Sequence, residues 1–200
     1  MPFLLRVELP DVPGSLGRLA SAIGEAGGDI EAIEIVEKRH DGTALDDVML
    51  ETDAMPDSIV SACNALDDVR VVWISRYAAG SNIVLDLEAV EEITAKPQEA
   101  VERLVDMLPN VFRVDWGARL HRSKGLVHGS TAAPDELEFL EIEGPTRVEE
   151  AGDDETLLAA ARLDGNEIIV VGRRGGPDFL DSELARLGHL IGLAVSISQA

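Results

Sequence analysis

Leu9-Pro10-Asp11-Val12-Pro13-Gly14-Ser15-Leu16-Gly17-Arg18-Leu19-Ala20 is the stretch whose reading decides the fold. Ahead of it, Phe3, Leu5, Val7 and Leu9 fall on one side of an extended segment, with Arg6 and Glu8 on the other. That period of two is a strand. Asp11, Pro13 and Gly14 then make a short turn. Behind the turn, Leu16, Leu19, Ala20 and Ile23 stand at offsets 0, 3, 4 and 7, the spacing of one helix face. A strand, a tight turn and a helix start leave several backbone N–H groups unpaired at one spot, which can hold a carboxylate or another small anion.

Outward from this stretch, the helix spans about Gly14 to Ala26 and ends at Gly27-Gly28, a left-handed cap. Ile30 to Arg39 is rich in β-branched residues and reads as a strand, and Asp41-Gly42 marks a hairpin turn. A third strand covers about Ala44 to Thr52. Within it, Asp46 and Asp47 are adjacent, so their side chains point to opposite faces, and both read as solvated acids. Pro56 and Asp57 open a second helix with Ile59, Val60, Cys63 and Leu66 inward; Asp67-Asp68 closes it, and Val69 to Ser75 is a fourth strand. The order β-α-β-β-α-β predicts a ferredoxin-like domain, two helices on one face of a four-stranded sheet.

Asp11-x-Pro13-Gly14-x-Leu16, then Gly27-Gly28-Asp29-Ile30, then Asp41-Gly42, resemble the ACT domain, a small-molecule-binding regulatory module, over about residues 3 to 77. The resemblance implies edge-to-edge pairing of two domains, with an amino acid bound between the first turn of one and its neighbour. On this chain, Asp11, Val12, Pro13, Gly14, Ser15 and Leu16 would supply N–H groups and a pocket wall, and Gly28, Asp29 and Ile30 the opposite side. Gly14, lacking a Cβ, would let a ligand approach closely. Asp29 stands where the family often has Asn, and an acid there repels a ligand carboxylate or attracts its ammonium group. The alternative is that Pro13 and Gly14 only shape the start of a helix.

In the second half, Ala79-Gly80-Ser81-Asn82 is a small polar break and a linker. Ser81 or Asn82 caps a helix through about Ala95. Pro97 starts another, with Ala100, Val101, Leu104, Val105 and Leu108 as its apolar stripe, ended by Pro109-Asn110. Strands are expected at Arg113 to Leu120, Leu126 to His128 and Phe139 to Glu143. Gly144 to Asp154 has no readable period. Leu157 to Leu163 and Glu167 to Arg173 form the clearest hairpin, joined by Asp164-Gly165-Asn166. Asp181 caps the final helix, on which Ala185, Gly188 and Gly192 share a ridge suited to internal packing or to a dimer seam. Val114-Asp115-Trp116-Gly117-Ala118, then Val170 to Pro177 with Phe179, then Glu183-Leu184-x-x-Leu187, resemble a GAF-like domain over roughly residues 82 to 198. The resemblance implies a central pocket that holds a ligand in some relatives.

Composition narrows the function classes. The chain has 200 residues, 46% of them hydrophobic, enough for two small domains with real cores. Thirty-eight acidic against 17 basic residues leave a net charge of −21, which opposes non-specific nucleic-acid binding and adhesion to anionic membranes. Cys63 is the single cysteine, so no intramolecular disulfide or cysteine-based zinc site can form. No apolar run resembles a membrane span and no signal peptide is apparent, so a cytoplasmic protein is expected. There is no P-loop and no Gly-x-Ser-x-Gly elbow. His40, His121, His128 and His189 are scattered, and His121 and His128 approach only if a hairpin aligns them.

These readings converge on an α+β chain: an ACT-like ligand-binding domain at residues 1–77, a linker at 78–81 and a GAF-like domain at 82–200. The expected function is a non-catalytic sensor of a small amino acid or related metabolite, a homodimer that regulates a partner protein. No catalytic residue, metal or cofactor is expected, and neither nucleic acid nor membrane is a partner. The competing readings are a scaffold or partner subunit with an unoccupied ACT fold, and an enzyme, for which the sequence offers no convergent polar groups.

Overall fold

The computed structural model describes residues 1–76, 82–148 and 156–199. The chain divides into two compact units, residues 1–81 and 82–200. The linker expected at 78–81 and the helix cap expected at Ser81 lie outside the described residues.

In the first unit, strand β1 (Pro2–Pro10) runs into helix α1 (Ser15–Glu25), followed by β2 (Gly28–Lys38), β3 (Thr43–Thr52), α2 (Pro56–Asn64) and β4 (Arg70–Arg76). The sheet is antiparallel in the order β2-β3-β1-β4, so β1 and β3 are central and β2 and β4 are edges. This is the ferredoxin-like arrangement expected. Phe3, Leu5, Val7 and Leu9 pack with Val48, Leu50, Leu19, Ile23, Ile59 and Cys63 into one core on the helix face. Burial raises the Cys63 thiol to a pKa of about 11, which keeps it protonated and inert. The opposite face of the central strands is also buried at Leu4, Leu45 and Met49. The acids Asp46 and Asp47 are therefore not solvated: each is 1% exposed. Both faces of β3 are covered, and the apolar residues around the pair take the acids inward with them.

In the second unit, α3 (Asn82–Ala95), a 3₁₀ turn at Pro97–Glu99 and α4 (Ala100–Phe112) precede β5 (Trp116–His121), β6 (Gly125–Gly129), β7 (Thr146–Val148), β8 (Thr156–Arg162), β9 (Glu167–Arg174) and α5 (Asp181–Ser198). The five strands are antiparallel in the order β6-β5-β9-β8-β7. One sheet face carries Ile169, Val171, Ala159 and Ala161 against the three helices. The other carries Trp116, Ala118, Leu120, Ile168 and Val170, covered by Leu137, Phe139, Leu140 and Ile142. This is the antiparallel sheet with flanking helices that a GAF-like half implies.

Several boundaries differ from expectation for physical reasons. α4 continues through Pro109 to Phe112: the proline gives up one helical hydrogen bond, and the extra turn buries Val111 and Phe112 in return. Phe139 to Glu143 is not a strand; its apolar side chains cover the sheet while its backbone joins no ladder. Thr146–Val148, in the stretch without a period, pairs with Leu158–Ala160. Asp181 is the first residue of α5 rather than its cap; the Leu180 N–H donates to the Glu183 carboxylate at 2.8 Å. Gly188 packs on Pro145 inside this unit, where a Cβ would come within 2.7 Å of the ring.

Candidate functional site

The turn between β1 and α1 is held from below. The Asp11 N–H donates to the Gly42 carbonyl at 2.8 Å, which ties the turn to the tip of the β2–β3 hairpin. The Val12 N–H donates to Pro10 and the Ser15 N–H to Val12, while the first helical bond runs from the Arg18 N–H to the Gly14 carbonyl. Among the described residues, the N–H groups of Gly14, Leu16 and Gly17 have no acceptor. The helix start carries no side-chain cap, and Gly14 adopts φ 93°, a left-handed backbone that any side chain would strain. Asp11, Val12, Pro13 and Gly14 are exposed, Leu16 is half-buried and Ser15 is buried. Beside them a groove of about 460 Å³ is lined by Gly14, Gly17, Arg18, Ser21, Glu25 and Leu66, among others.

Gly28, Asp29 and Ile30 lie at the other end of the sheet within the same chain. Gly28 pairs with Thr52 and Asp29 with Glu51, whereas the turn sits by Thr43 and Ala44. The eleven residues of α1 separate the two sets, a helix length of about 16 Å. Gly28 serves the packing of its own domain, since a Cβ there would meet Ile23 Cγ2 at 2.6 Å. Ile30 packs into the helix-face core and Asp29 is exposed. A cleft built from both sets therefore needs two copies of the domain.

What faces the turn within one chain is different. The Lys38 ammonium, at the end of β2, binds both carboxylate oxygens of Asp11 at 2.9 and 3.0 Å. On β3, Asp46 stands between Val7 of β1 and Ile35 of β2, on the helix face and at the turn's end of the sheet. Its Oδ1 is buried with no hydrogen-bond partner. Burial, with the negative charges of Asp11 and Asp47, pushes its pKa up to about 6, and Lys38 alone pulls it down. Asp47, on the other face, is held by the Arg6 guanidinium in a two-pronged ion pair at 2.7 and 2.9 Å. Asp46 escaped the sequence reading because an acid pair in a strand looks solvated. The signal was present in its neighbours, Ala44-Leu45 before and Val48-Met49-Leu50 after, which mark a strand buried on both sides.

In the second unit, a cleft of about 730 Å³ lies among α3, α4 and β6. Its wall is acidic, with Glu88, Glu91 and Glu102 among its residues, and Arg103 is already paired with Glu92 and Glu99. His121 and His128 do not converge: His121 Nδ1 faces Ser123, and His128 Nε2 meets Asp106 at 2.8 Å. Among the described residues no group of three or more His, Cys, Asp or Glu side chains is placed to hold a metal ion. No described helix is long and apolar enough to cross a membrane.

Residues 3–68 match the sequence model of the ACT domain. The ACT domain thus comprises the turn, both helices and the first three strands. The NAD-dependent malic enzyme 1 of Bacillus subtilis (strain 168) is 38% identical over 73 residues, which are 36% of this chain and 17% of that enzyme. The chain thus spans under a fifth of that relative's length. Among solved structures, the GAF domain from an Acinetobacter phosphoenolpyruvate-protein phosphotransferase is 12% identical with a TM-score of 0.46, over 61% of this chain and 95% of that one. A formyltetrahydrofolate deformylase from Pseudomonas putida KT2440 is 11% identical with a TM-score of 0.30, over 41% and 29%. At those scores the two structures add nothing to the fold already described.

Proposed function

We propose that this chain is a non-catalytic regulatory protein whose ACT domain senses a small amino acid or related metabolite at an interface between two copies. The observation that carries the reading is the turn itself: three open N–H donors at Gly14, Leu16 and Gly17, on a helix start with no side-chain cap. Such donors at a helix N-terminus favour a carboxylate.

The sheet supports a second copy as the other wall. β2 is an edge strand of eleven residues with Ile33 and Ile35 exposed at 37% and 46%. Edge strands of this kind invite pairing. If two β2 strands pair antiparallel across a two-fold axis, the Gly28 end of one lies beside the Lys38 end of the other. Gly28, Asp29 and Ile30 of one copy then approach the Asp11 to Leu16 turn of its partner. Ligand bound across that seam couples occupancy to assembly, because a ligand favours the state that binds it better. In this reading the GAF-like half is the platform through which a regulated partner protein is contacted, and the protein works in the cytoplasm.

A thermal-shift panel of amino acids, followed by light scattering with and without the best ligand, tests this. A raised melting temperature and a dimer at micromolar concentration are expected. A monomer under both conditions, with no ligand raising the melting temperature, defeats the proposal in favour of a scaffold with an unoccupied ACT fold.

A further inference from the structure

We propose that residues 131–143 form a displaceable cover on the GAF-like half, which lifts from a preformed apolar sheet face while the sheet beneath stays folded. The proposal concerns the second unit alone and does not depend on a ligand at the turn.

The face and its cover differ in what holds them. Trp116, Ala118, Leu120, Ile168 and Val170 are at most 6% exposed, and they stand on β5 and β9, strands that are paired along both edges. The Trp116 indole lies against the backbone at Gly172, where an added Cβ would meet its Cε2 at 2.2 Å. The cover has no ladder. Among the described residues, no backbone N–H or carbonyl of residues 134–145 enters a backbone hydrogen bond, and none of residues 131–143 is fully buried. Its two ends are fixed. Ser130 donates its N–H to the Gly117 carbonyl and accepts the Gly117 N–H on its Oγ, both at 2.9 Å. Pro145 packs on Gly188 of α5, and Thr146–Val148 joins β8.

Between these anchors, Leu137, Phe139, Leu140 and Ile142 rest on the face. Among the described residues, one polar latch ties the cover to the sheet. Arg122, just past β5, grips both carboxylate oxygens of Glu141, one at 2.9 Å, and its guanidinium lies 4.9 Å from the centre of the Phe139 ring. The latch is exposed, 46% at Arg122 and 72% at Glu141, so it holds weakly. A segment with few buried contacts and no ladder opens at lower cost than the strands under it. Opening uncovers an indole and aliphatic side chains with no charged group among them, a face that proteins rarely leave in water. The half thus has a closed state, in which its own cover occupies the face, and an open one, and the latch sets the balance between them.

The experiment uses the full chain with Cys63→Ala, which removes the native thiol, and adds either Val170→Cys on the covered face or Val171→Cys on the helix face. The two positions are neighbours on β9, 1% and 0% exposed, and the substitution is the same at each. Labelling with N-ethylmaleimide in native buffer, followed by mass spectrometry, reports how readily each face opens. The thiol at position 170 should react at least about tenfold faster than the one at position 171, since local opening costs less than unfolding. Arg122→Gln should speed labelling at position 170 about two- to fivefold and leave position 171 unchanged, the effect of losing an exposed ion pair. Leu140→Ala, which trims the cover and spares the latch, should speed position 170 more than Arg122→Gln does. Circular dichroism confirms that the variants are folded. Equal rates at the two positions without further substitution, or equal acceleration of both by Leu140→Ala, show that the half opens as a whole and overturn the cover. Acceleration at position 170 by Leu140→Ala but not by Arg122→Gln supports the cover and overturns the latch.

Discussion

Asp46 and Asp47 are neighbours on one strand and equally buried, yet their circumstances are opposite. Asp47 faces the side of the sheet without helices and is clasped by Arg6 through two hydrogen bonds. Asp46 faces the helices beside the β1–α1 turn, and its Oδ1 is clasped by nothing. Burial alone therefore does not say what an acid is for. A buried carboxylate with a built-in partner belongs to the architecture, and one without a partner titrates, binds a cation or does both.

The sharpest way to break the contrast is to give Asp47 the state of Asp46. Arg6→Met removes the guanidinium and leaves a buried charge uncompensated, which should cost about 3–5 kcal/mol. Urea unfolding of the ACT domain should report it as a fall in midpoint at constant slope. The double variant Arg6→Met/Asp47→Leu should recover most of that loss, since well-packed apolar residues often replace a buried pair. A double variant no more stable than Arg6→Met alone would mean that the pair specifies the packing of that face, beyond its charge.

Asp46→Asn tests the other member and should move stability the opposite way at neutral pH. The folded pKa of Asp46 is raised from 3.8 to about 6, so the native state holds its proton more tightly than the unfolded chain. Stability from this group is fully present below pH about 4 and is lost as pH rises through about 6. That loss is bounded by about 3 kcal/mol for a shift of this size. Asn carries no such dependence, so Asp46→Asn should gain about 1–3 kcal/mol over wild type at pH 8 and nothing near pH 4. Parallel melts across that window check it; a gain that does not change with pH would show that Asp46 does not titrate in the window.

Much of the first unit was legible because its signals are local. The period of two at Phe3 to Leu9, the turn at Asp11 to Gly14 and the glycine stop after α1 each depend on a few adjacent residues. The burial of Asp46 was written in its apolar neighbours on β3, but the lack of a partner for its Oδ1 depends on what lies across the sheet, and no spacing within β3 records that. Pro109 failed as a helix stop for the same reason, since the burial of Val111 and Phe112 outweighs a local rule. The apolar positions of Phe139 to Glu143 do face inward, but a backbone ladder needs a free strand edge that periodicity cannot show. Gly28 to Ile30 were placed in the candidate site through family likeness, and within one chain they lie a helix length from the turn.

A smaller effect separates the turn's shape from its charge. Gly14 meets no atom within 4 Å of an added Cβ, so Gly14→Ala is opposed by its backbone φ of 93° and by nothing else. The expected cost is about 1–2 kcal/mol. Gly14→Val would crowd the turn further, but it adds the stiffness of a branched side chain to the same strain and mixes folding with binding. Gly14→Ala is the cleaner probe. If it costs more than Arg6→Met, the turn rather than the sheet dominates the domain's stability.

The smallest change should be the most informative about how the two acids differ. Lys38 and Asp11 form an ion pair at the surface, and Lys38→Met should alter stability by only about 0–1 kcal/mol. Yet Lys38 is the positive charge that lowers the pKa of Asp46, against the combined push of burial, Asp11 and Asp47. Removing it should move the Asp46 titration further up. The Asp46 carboxyl carbon shift followed by NMR across the acidic range would show it. An upward movement shows that the exposed turn and the buried acid form one electrostatic unit. If Asp46 does not move, the turn and the acid are neighbours without being coupled.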